Sequence, residues 1–288
     1  MNEQDNNPYQ APEADIQTPE NEGELLATPN TVPIGRGFTW LEKGISNTLK
    51  PQIGMWMLIG LVYVIISLVL NFIPIINMIV PTLLAPVFAA GLALGAHRVY
   101  TGEKLEIGQL FAGFSLPQSS QLFLFGLITI VVYIALFMLM FAFVGFDFIT
   151  LMMSGDDPDP AVISSMMGKF ILLIPLGLIA GVIFLLALWF PPTLIGLHGI
   201  SAMQALKLGF KGATKNIGAV VVFLLMLIVL GIAVGIIFAL LMGIIGFISQ
   251  TMALVLMFII MIPLALLAVG FWAGTTYHAY RDIFIGEE

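Results

Sequence analysis

The sequence predicts an all-α, polytopic transmembrane bundle of six helices. The chain of 288 residues is 59% hydrophobic and only 9% charged, whereas soluble domains carry about 25% charged residues. Its apolar residues form six long runs, and its basic residues gather in the segments on one side of those runs. These three features are typical of an integral membrane protein and not of a soluble domain.

Each of the six runs is long enough to cross a hydrocarbon layer of about 30 Å, since a helix rises about 1.5 Å per residue. The predicted spans cover about 52–73, 75–96, 121–144, 170–190, 217–242 and 252–277. Pro74 separates the first two spans and predicts a tight helical hairpin. The runs are continuous and lack the alternation of barrel strands, so they favour helices.

Residues 1–33 are predicted to form a disordered cytoplasmic tail ahead of a membrane domain at 34–285. The first thirty residues hold seven acids and no base, with recurring Pro, Asn and Gln. Such a segment cannot bury enough apolar surface to offset the entropy lost on ordering. Two roles stay open for it: a solubilising tail, or a tether whose stretch NPYQAPEA binds a protein partner.

Nine of the ten Lys and Arg residues lie on one side of the predicted spans. They are Arg36, Lys43, Lys50, Arg98, Lys104, Lys207, Lys211, Lys215 and Arg281. Only Lys169 lies on the other side, in the segment 146–169, which also carries four aspartates. Because basic segments stay in the cytoplasm, both termini are predicted to be cytoplasmic and the acidic loop to face outward.

Three segments beside the spans, 36–50, 105–114 and 201–216, mix apolar and polar residues and are predicted to be interfacial amphipathic helices. The last has an apolar face formed by Met203, Leu206 and Phe210. Its lysines recur every fourth residue on another face, at Lys207, Lys211 and Lys215. Two interpretations stay open: recognition of anionic lipid or a partner by these lysines, or an ordinary interfacial linker.

The second and sixth spans end alike. When Arg98 is aligned with Arg281 without gaps, nine of the twenty residues up to each arginine are identical. A middle unit shares the layout with fewer identities, so we expect three tandem helical hairpins in one orientation. Gly91 and Gly274 are predicted to allow close helix packing. The two arginines are predicted to complement the helix dipoles and to contact headgroup phosphates.

Few residues suggest chemistry. The chain has no cysteine, which excludes disulfides and thiolate sites. Its three histidines, His97, His198 and His278, follow the even-numbered spans. We expect them at the membrane surface and not in a metal site, because no HExxH spacing occurs and nothing makes the three ends converge. No catalytic residue and no cofactor is predicted, and the lack of a basic patch interleaved with aromatic residues argues against nucleic-acid binding.

Four motifs stand in order over about residues 33–285: GRGFTWLEKGI, LLAPVFAAGLALGAHRVYTGEKLEIGQLFAGF, AMQALKLGFKGATKNIGA and YHAYRDIF. They resemble a family of uncharacterised proteobacterial multi-pass membrane proteins. The resemblance implies a bacterial inner-membrane location and about six spans, and it brings no activity, cofactor or catalytic residue. More distantly, the layout is similar to the membrane domain of some glycerophosphodiester phosphodiesterases, whose catalytic domain is not recognisable in this sequence.

Two functional hypotheses follow. The favoured one is a non-enzymatic accessory or lipid-organising membrane protein, since no span carries a central charge. Its expected headgroup contacts are Lys207, Lys211, Lys215, Arg98 and Arg281. The alternative is a transporter or channel for a neutral or amphipathic solute, motivated by intramembrane prolines and by polar residues such as Asn71 and Tyr133. An intramembrane enzyme has little support, and the oligomeric state is left open.

Overall fold

The computed structural model describes residues 23–72, 76–153 and 159–286, which form ten α-helices and no β-strand. The helices are α1 (Arg36–Lys43), α2 (Ile53–Asn71), α3 (Ile76–Tyr100), α4 (Ala112–Ser115), α5 (Ser119–Met153), α6 (Pro160–Leu188), α7 (Pro191–His198), α8 (Ala202–Lys215), α9 (Ile217–Ile248) and α10 (Gln250–Phe284). The predicted all-α class is confirmed.

Six helical stretches among the described residues are long and apolar enough to cross a membrane. They cover Arg36–Asn71, Ile79–Tyr100, Ser119–Met153, Pro160–His198, Ile217–Ile248 and Gln250–Phe284. The chain is therefore a multi-pass membrane protein by the length and composition of its helices. Several helices are longer than predicted: α5 and α10 have 35 residues each, or about 52 Å. The hairpin turn predicted at Pro74 lies outside the described residues.

The acidic loop predicted at 146–169 is largely helical, which corrects the predicted limits of the third and fourth spans. α5 extends past Asp147, and α6 begins at Pro160. Asp159 starts α6 by accepting a hydrogen bond of 2.8 Å from a backbone N–H in the first turn. Oδ1 of Asp147, near the end of α5, lies 3.0 Å from Nζ of Lys169 on α6. This ion pair compensates two charges within apolar helices, so the helices continue through them.

Both described ends of the chain meet at one end of the bundle, which we call the basal end. The backbone N of Leu26 donates to the carbonyl of Phe284 at 2.9 Å, and that of Asn30 donates to Ile283 at 2.7 Å. The disordered tail was predicted to extend to residue 33, whereas residues 23–33 bind the end of α10. They are ordered because the last carbonyls of α10 lack helical partners and accept these bonds. Residues 1–22 lie outside the described part of the chain.

Two of the predicted surface helices take another form. The segment 36–50 is continuous with α2 through a π-helical stretch, Gly44–Leu49, and a 3-10 turn. The segment 105–114 is a 3-10 turn, Ile107–Phe111, followed by the single turn α4. Both enter the basal core because Trp40 and Leu110 are fully buried. Neither is a helix lying freely on the surface.

The buried core is concentrated at the basal end. Its largest fully buried side chains include Trp40, Trp56, Phe190 and Phe223. The distal halves of α5, α6 and α9 instead expose long rows of Leu, Ile, Phe and Met side chains. Such a surface is favourable in the hydrocarbon of a membrane and unfavourable in water.

The helices of each predicted hairpin contact one another, yet the most extensive packing joins different hairpins. α10 packs chiefly on α2, and α3 packs chiefly on α5. A Cβ at Gly91 would lie 2.4 Å from the carbonyl O of Gln109, and one at Gly274 would lie 2.8 Å from the carbonyl O of Gly44. α3 of the first unit thus touches the second unit, and α10 of the third unit closes back onto the first.

Substituting either close-packed glycine should destabilise the bundle. We expect Gly91→Ala and Gly274→Ala each to lower the thermal midpoint in detergent, because overpacking costs about 1–3 kcal/mol. Gly235→Ala in α9 is the matched control, since no atom lies within 4 Å of its added Cβ. Circular dichroism melts check this, and equal midpoints for all three variants would contradict the packing.

Candidate functional site

The last turns of α10 form the centre of the basal end. All eight residues from Ala273 to Tyr280 are buried. Eight consecutive residues point in every direction around a helix of 3.6 residues per turn, so this stretch is enclosed on all sides. Its sequence, AGTTYHAY, allows this because Ala, Gly and Thr admit close neighbours. It also places five side chains with polar groups in the interior, two threonines, two tyrosines and a histidine, which therefore require partners.

Two histidines from other helices supply partners for the tyrosines of α10. Nδ1 of His97, at the end of α3, lies 2.8 Å from the hydroxyl of Tyr277. His198, at the end of α7, contacts the hydroxyl of Tyr280 through Nε2. The two tyrosines are three residues apart, so they lie near one face of α10 and their rings are 5.8 Å apart. Together they connect the ends of α3 and α7 to α10.

The third histidine belongs to α10 itself. Nε2 of His278 lies 3.2 Å from the hydroxyl of Thr48, in the π-helical stretch before α2. His97 and His278 are each only 4% exposed. His97 and His278 are thus enclosed in the bundle, whereas His198 is partly exposed. The helix ends that were not expected to converge do meet at α10, because all three histidines take part in contacts between α10 and other segments. Within the described residues, no three His, Cys, Asp or Glu side chains are placed to hold a metal.

Asp282 is a second polar centre, which the sequence analysis did not identify. Nε of Arg36 donates to its Oδ2 at 2.7 Å, and Nη2 of the same guanidinium binds Oδ1. Nε1 of Trp40 also donates to Oδ2, at 2.7 Å. A bidentate arginine and an indole leave this carboxylate well compensated, so α1 is fastened to the end of α10. The available signal was a pair of opposite charges, Arg36 and Asp282, at the two limits of the membrane domain.

This arrangement supports a structural role. No buried side-chain nitrogen or oxygen among the described residues lacks a hydrogen-bond partner. The imidazoles pair with hydroxyl groups, and the carboxylate of Asp282 is taken up by an arginine and a tryptophan. Satisfied networks of this kind fix helices relative to one another, because breaking one bond leaves a buried group unpaired.

The two arginines predicted to contact phosphates are occupied by protein groups. Nε of Arg98 lies 3.0 Å from Oε2 of Glu103, and a second carboxylate, Glu106, lies 3.9 Å from Nη2. The guanidinium of Arg281 stacks 4.2 Å above the ring centre of Tyr100. Both arginines thus hold the loop after α3 and the end of α10 in place.

α8 presents three faces and not the two that were predicted. The face toward the bundle consists of small residues: Ala202, Ala205, Gly209, Gly212 and Ala213. The predicted apolar face points outward, with Met203 and Phe210 50% and 39% exposed. Small residues face inward because a Cβ at Gly212 would lie 2.4 Å from the ring of Phe284. Met203 and Phe210 are consequently exposed on the outside of the bundle, while Leu206 is half-buried against the core.

The lysines of α8 occupy the third face. Lys207 and Lys211 are exposed and make no hydrogen bond or ion pair with the described residues. Lys215 differs, because its Nζ donates to the carbonyl of Pro29 at 2.7 Å. α8 itself is well formed: the Ser201 side chain accepts from the backbone N of Gln204, and the Gln204 side chain reciprocates in a capping box.

Comparison with known proteins returns no match: no family model, no curated protein and no solved structure is similar to this chain. The resemblance to a proteobacterial membrane-protein family therefore stays a prediction carried by its sequence motifs.

Removing one hydroxyl from the buried network should destabilise the basal end. Tyr277→Phe deletes the group that Nδ1 of His97 contacts, and leaving a buried polar group unpaired costs about 1–3 kcal/mol. We expect a lower thermal midpoint in detergent than for the wild type. Tyr133→Phe is the control, since Tyr133 is 48% exposed. An unchanged midpoint for Tyr277→Phe would show that the network contributes little.

Proposed function

We propose that this protein is a non-enzymatic membrane protein that organises anionic lipid at the cytoplasmic face of a bacterial inner membrane, alone or as an accessory to a protein partner. α8 is its lipid-contacting element. Lys207 and Lys211 bind headgroup phosphates, while Met203 and Phe210 enter the acyl region.

The three-faced geometry of α8 carries this proposal. One face is packed on the bundle, so the helix is held in a fixed position. The neighbouring face exposes Met203 and Phe210, and the face beyond it bears two lysines that have no partner among the residues the structure describes. A helix at the boundary between hydrocarbon and headgroups requires this order of faces, and its lysines can extend toward the phosphates.

The distribution of charge supports the orientation. Nine of the ten basic residues belong to segments at the basal end, and Lys169 is the exception. The positive-inside rule therefore favours a basal end in the cytoplasm, together with both termini. That leaflet carries anionic lipid, which attracts each nearby lysine by about 1 kcal/mol.

The alternative of a solute transporter gains no support from the polar residues that motivated it. Nδ2 of Asn71 donates to the backbone of Ser67 at 2.7 Å, and the hydroxyl of Thr129 donates to Phe125 at 2.9 Å. The ring of Tyr133 packs against Phe184. The side chain of Ser249 caps the start of α10. These contacts stay within one helix or hairpin, so they do not outline a solute path.

The lipid proposal is tested by titrating phosphatidylglycerol into the detergent-purified protein and counting bound lipids by native mass spectrometry. For Lys207→Gln/Lys211→Gln we expect phosphatidylglycerol affinity to fall roughly fivefold for each lysine removed, from about 1 kcal/mol per cation. Affinity for zwitterionic phosphatidylcholine should not change, because it offers no net charge.

Lys50→Gln/Lys104→Gln is the matched control, since both lysines are exposed at the basal end and the change in net charge is the same. We expect it to retain most of the phosphatidylglycerol affinity. Equal affinities for the α8 variant and the wild type would disprove the assignment to α8. Equal losses in both variants would mean that net charge matters and that α8 has no particular role.

A further inference from the structure

The ordered segment 23–33 is attached to α8 as well as to α10. The backbone N of Val32 donates to Oδ1 of Asn216 at 2.8 Å, and Nδ2 of Asn216 donates to the carbonyl of Asn30 at 2.8 Å. Lys215 adds its bond to the carbonyl of Pro29. Lys215 and Asn216, at the carboxy-terminal end of α8, therefore both bind the amino-terminal segment.

This attachment determines where residues 1–22 leave the bundle. They join the described chain at Gly23, close to the end of α10, where Leu25 pairs with Ile285. The last residues of α10 lie directly against α8, since Phe284 contacts Gly212. Along α8, Lys211 and Lys207 stand about 6 and 12 Å before Lys215. A chain of 22 residues spans up to about 75 Å, so it easily reaches both lysines.

The charges of the two elements are complementary. Residues 1–22 contain no base and six acids, which are Glu3, Asp5, Glu13, Asp15, Glu20 and Glu22. Lys207 and Lys211 are exposed cations without a partner in the described part of the chain. Attaching one end of the acidic segment next to these cations keeps its local concentration high, so weak individual ion pairs are favoured.

We infer that acidic residues of 1–22 bind the lysine face of α8 in the same chain, where they compete with anionic headgroups for Lys207 and Lys211. The contact between the segment and α8 stands on the attachment and the charges described above. Only the competition with lipid rests on the proposed function. The amino-terminal segment thereby limits lipid binding by α8 until anionic lipid displaces it.

Zero-length carbodiimide cross-linking of the full chain tests the contact, because it joins only carboxylates and amines that touch. In phosphatidylcholine nanodiscs at low salt, peptide mapping should find links from Lys207 or Lys211 to acids of residues 1–22. Raising the salt to about 1 M should remove most of them, since the screening length falls to about 3 Å. Lys50 and Lys104 serve as reference lysines and should give few links.

The absence of links between α8 and residues 1–22, or links equally frequent at Lys50 and Lys104, would overturn the inference. Mixing heavy-isotope and ordinary protein before reconstitution distinguishes a segment that binds its own chain from one that binds a second copy. Links between heavy and ordinary peptides would place the segment on a second copy and overturn the intramolecular assignment.

The competition is tested separately. Adding phosphatidylglycerol to about 30% of the nanodisc lipid should reduce the links severalfold, and deletion of residues 2–22 should raise phosphatidylglycerol affinity severalfold. If Lys207→Gln/Lys211→Gln lowers that affinity but the deletion leaves it unchanged, the competition is wrong while the lipid proposal stands. If the links form and neither variant alters the affinity, the lipid proposal is wrong while the contact stands.

Discussion

The enclosure of one polar stretch of α10 is the constraint on which the rest of the bundle depends. Eight consecutive buried residues leave no direction open to solvent, so each polar side chain needs a partner from a neighbouring element. Thr48, His97 and His198 come from three different segments, and Nε1 of Trp189 donates to Thr276 at 3.0 Å. Bonds to a single helix therefore position four other parts of the bundle: the junction of α6 and α7 at Trp189, the end of α3, the end of α7 and the stretch before α2.

This constraint explains why the two ends of the bundle differ. At the basal end, hydrogen bonds and buried aromatic rings determine the positions of the helices. Along the distal halves the helices are almost entirely apolar, and hydrocarbon solvates them as well as neighbouring helices do, so little drives them together. The ion pair of Asp147 with Lys169 is the main polar link in that region of the described chain, and it joins α5 to α6.

The proposed lipid contact and the proposed regulation both depend on α8 being held by its small residues. Because Gly209 and Gly212 pack inward, the bulky apolar residues and the lysines have to face away from the bundle. The same attachment brings the amino-terminal segment to the end of α8. A helix with large residues facing the bundle would have buried the lipid-facing surface and left the lysines alone on the outside.

The sequence by itself determined the all-α class, the six spans and the asymmetry of charge, because length, hydropathy and basic residues are local properties of the chain. Spacing also identified the lysine face of α8. It did not predict the convergence of the histidines, the carboxylate of Asp282 or the attachment of residues 23–33. Those depend on contacts such as Arg36 with Asp282, whose partners lie at opposite ends of the chain. Only the tertiary structure decides such contacts, because a buried polar group is satisfied by whichever partner the fold brings within hydrogen-bonding distance.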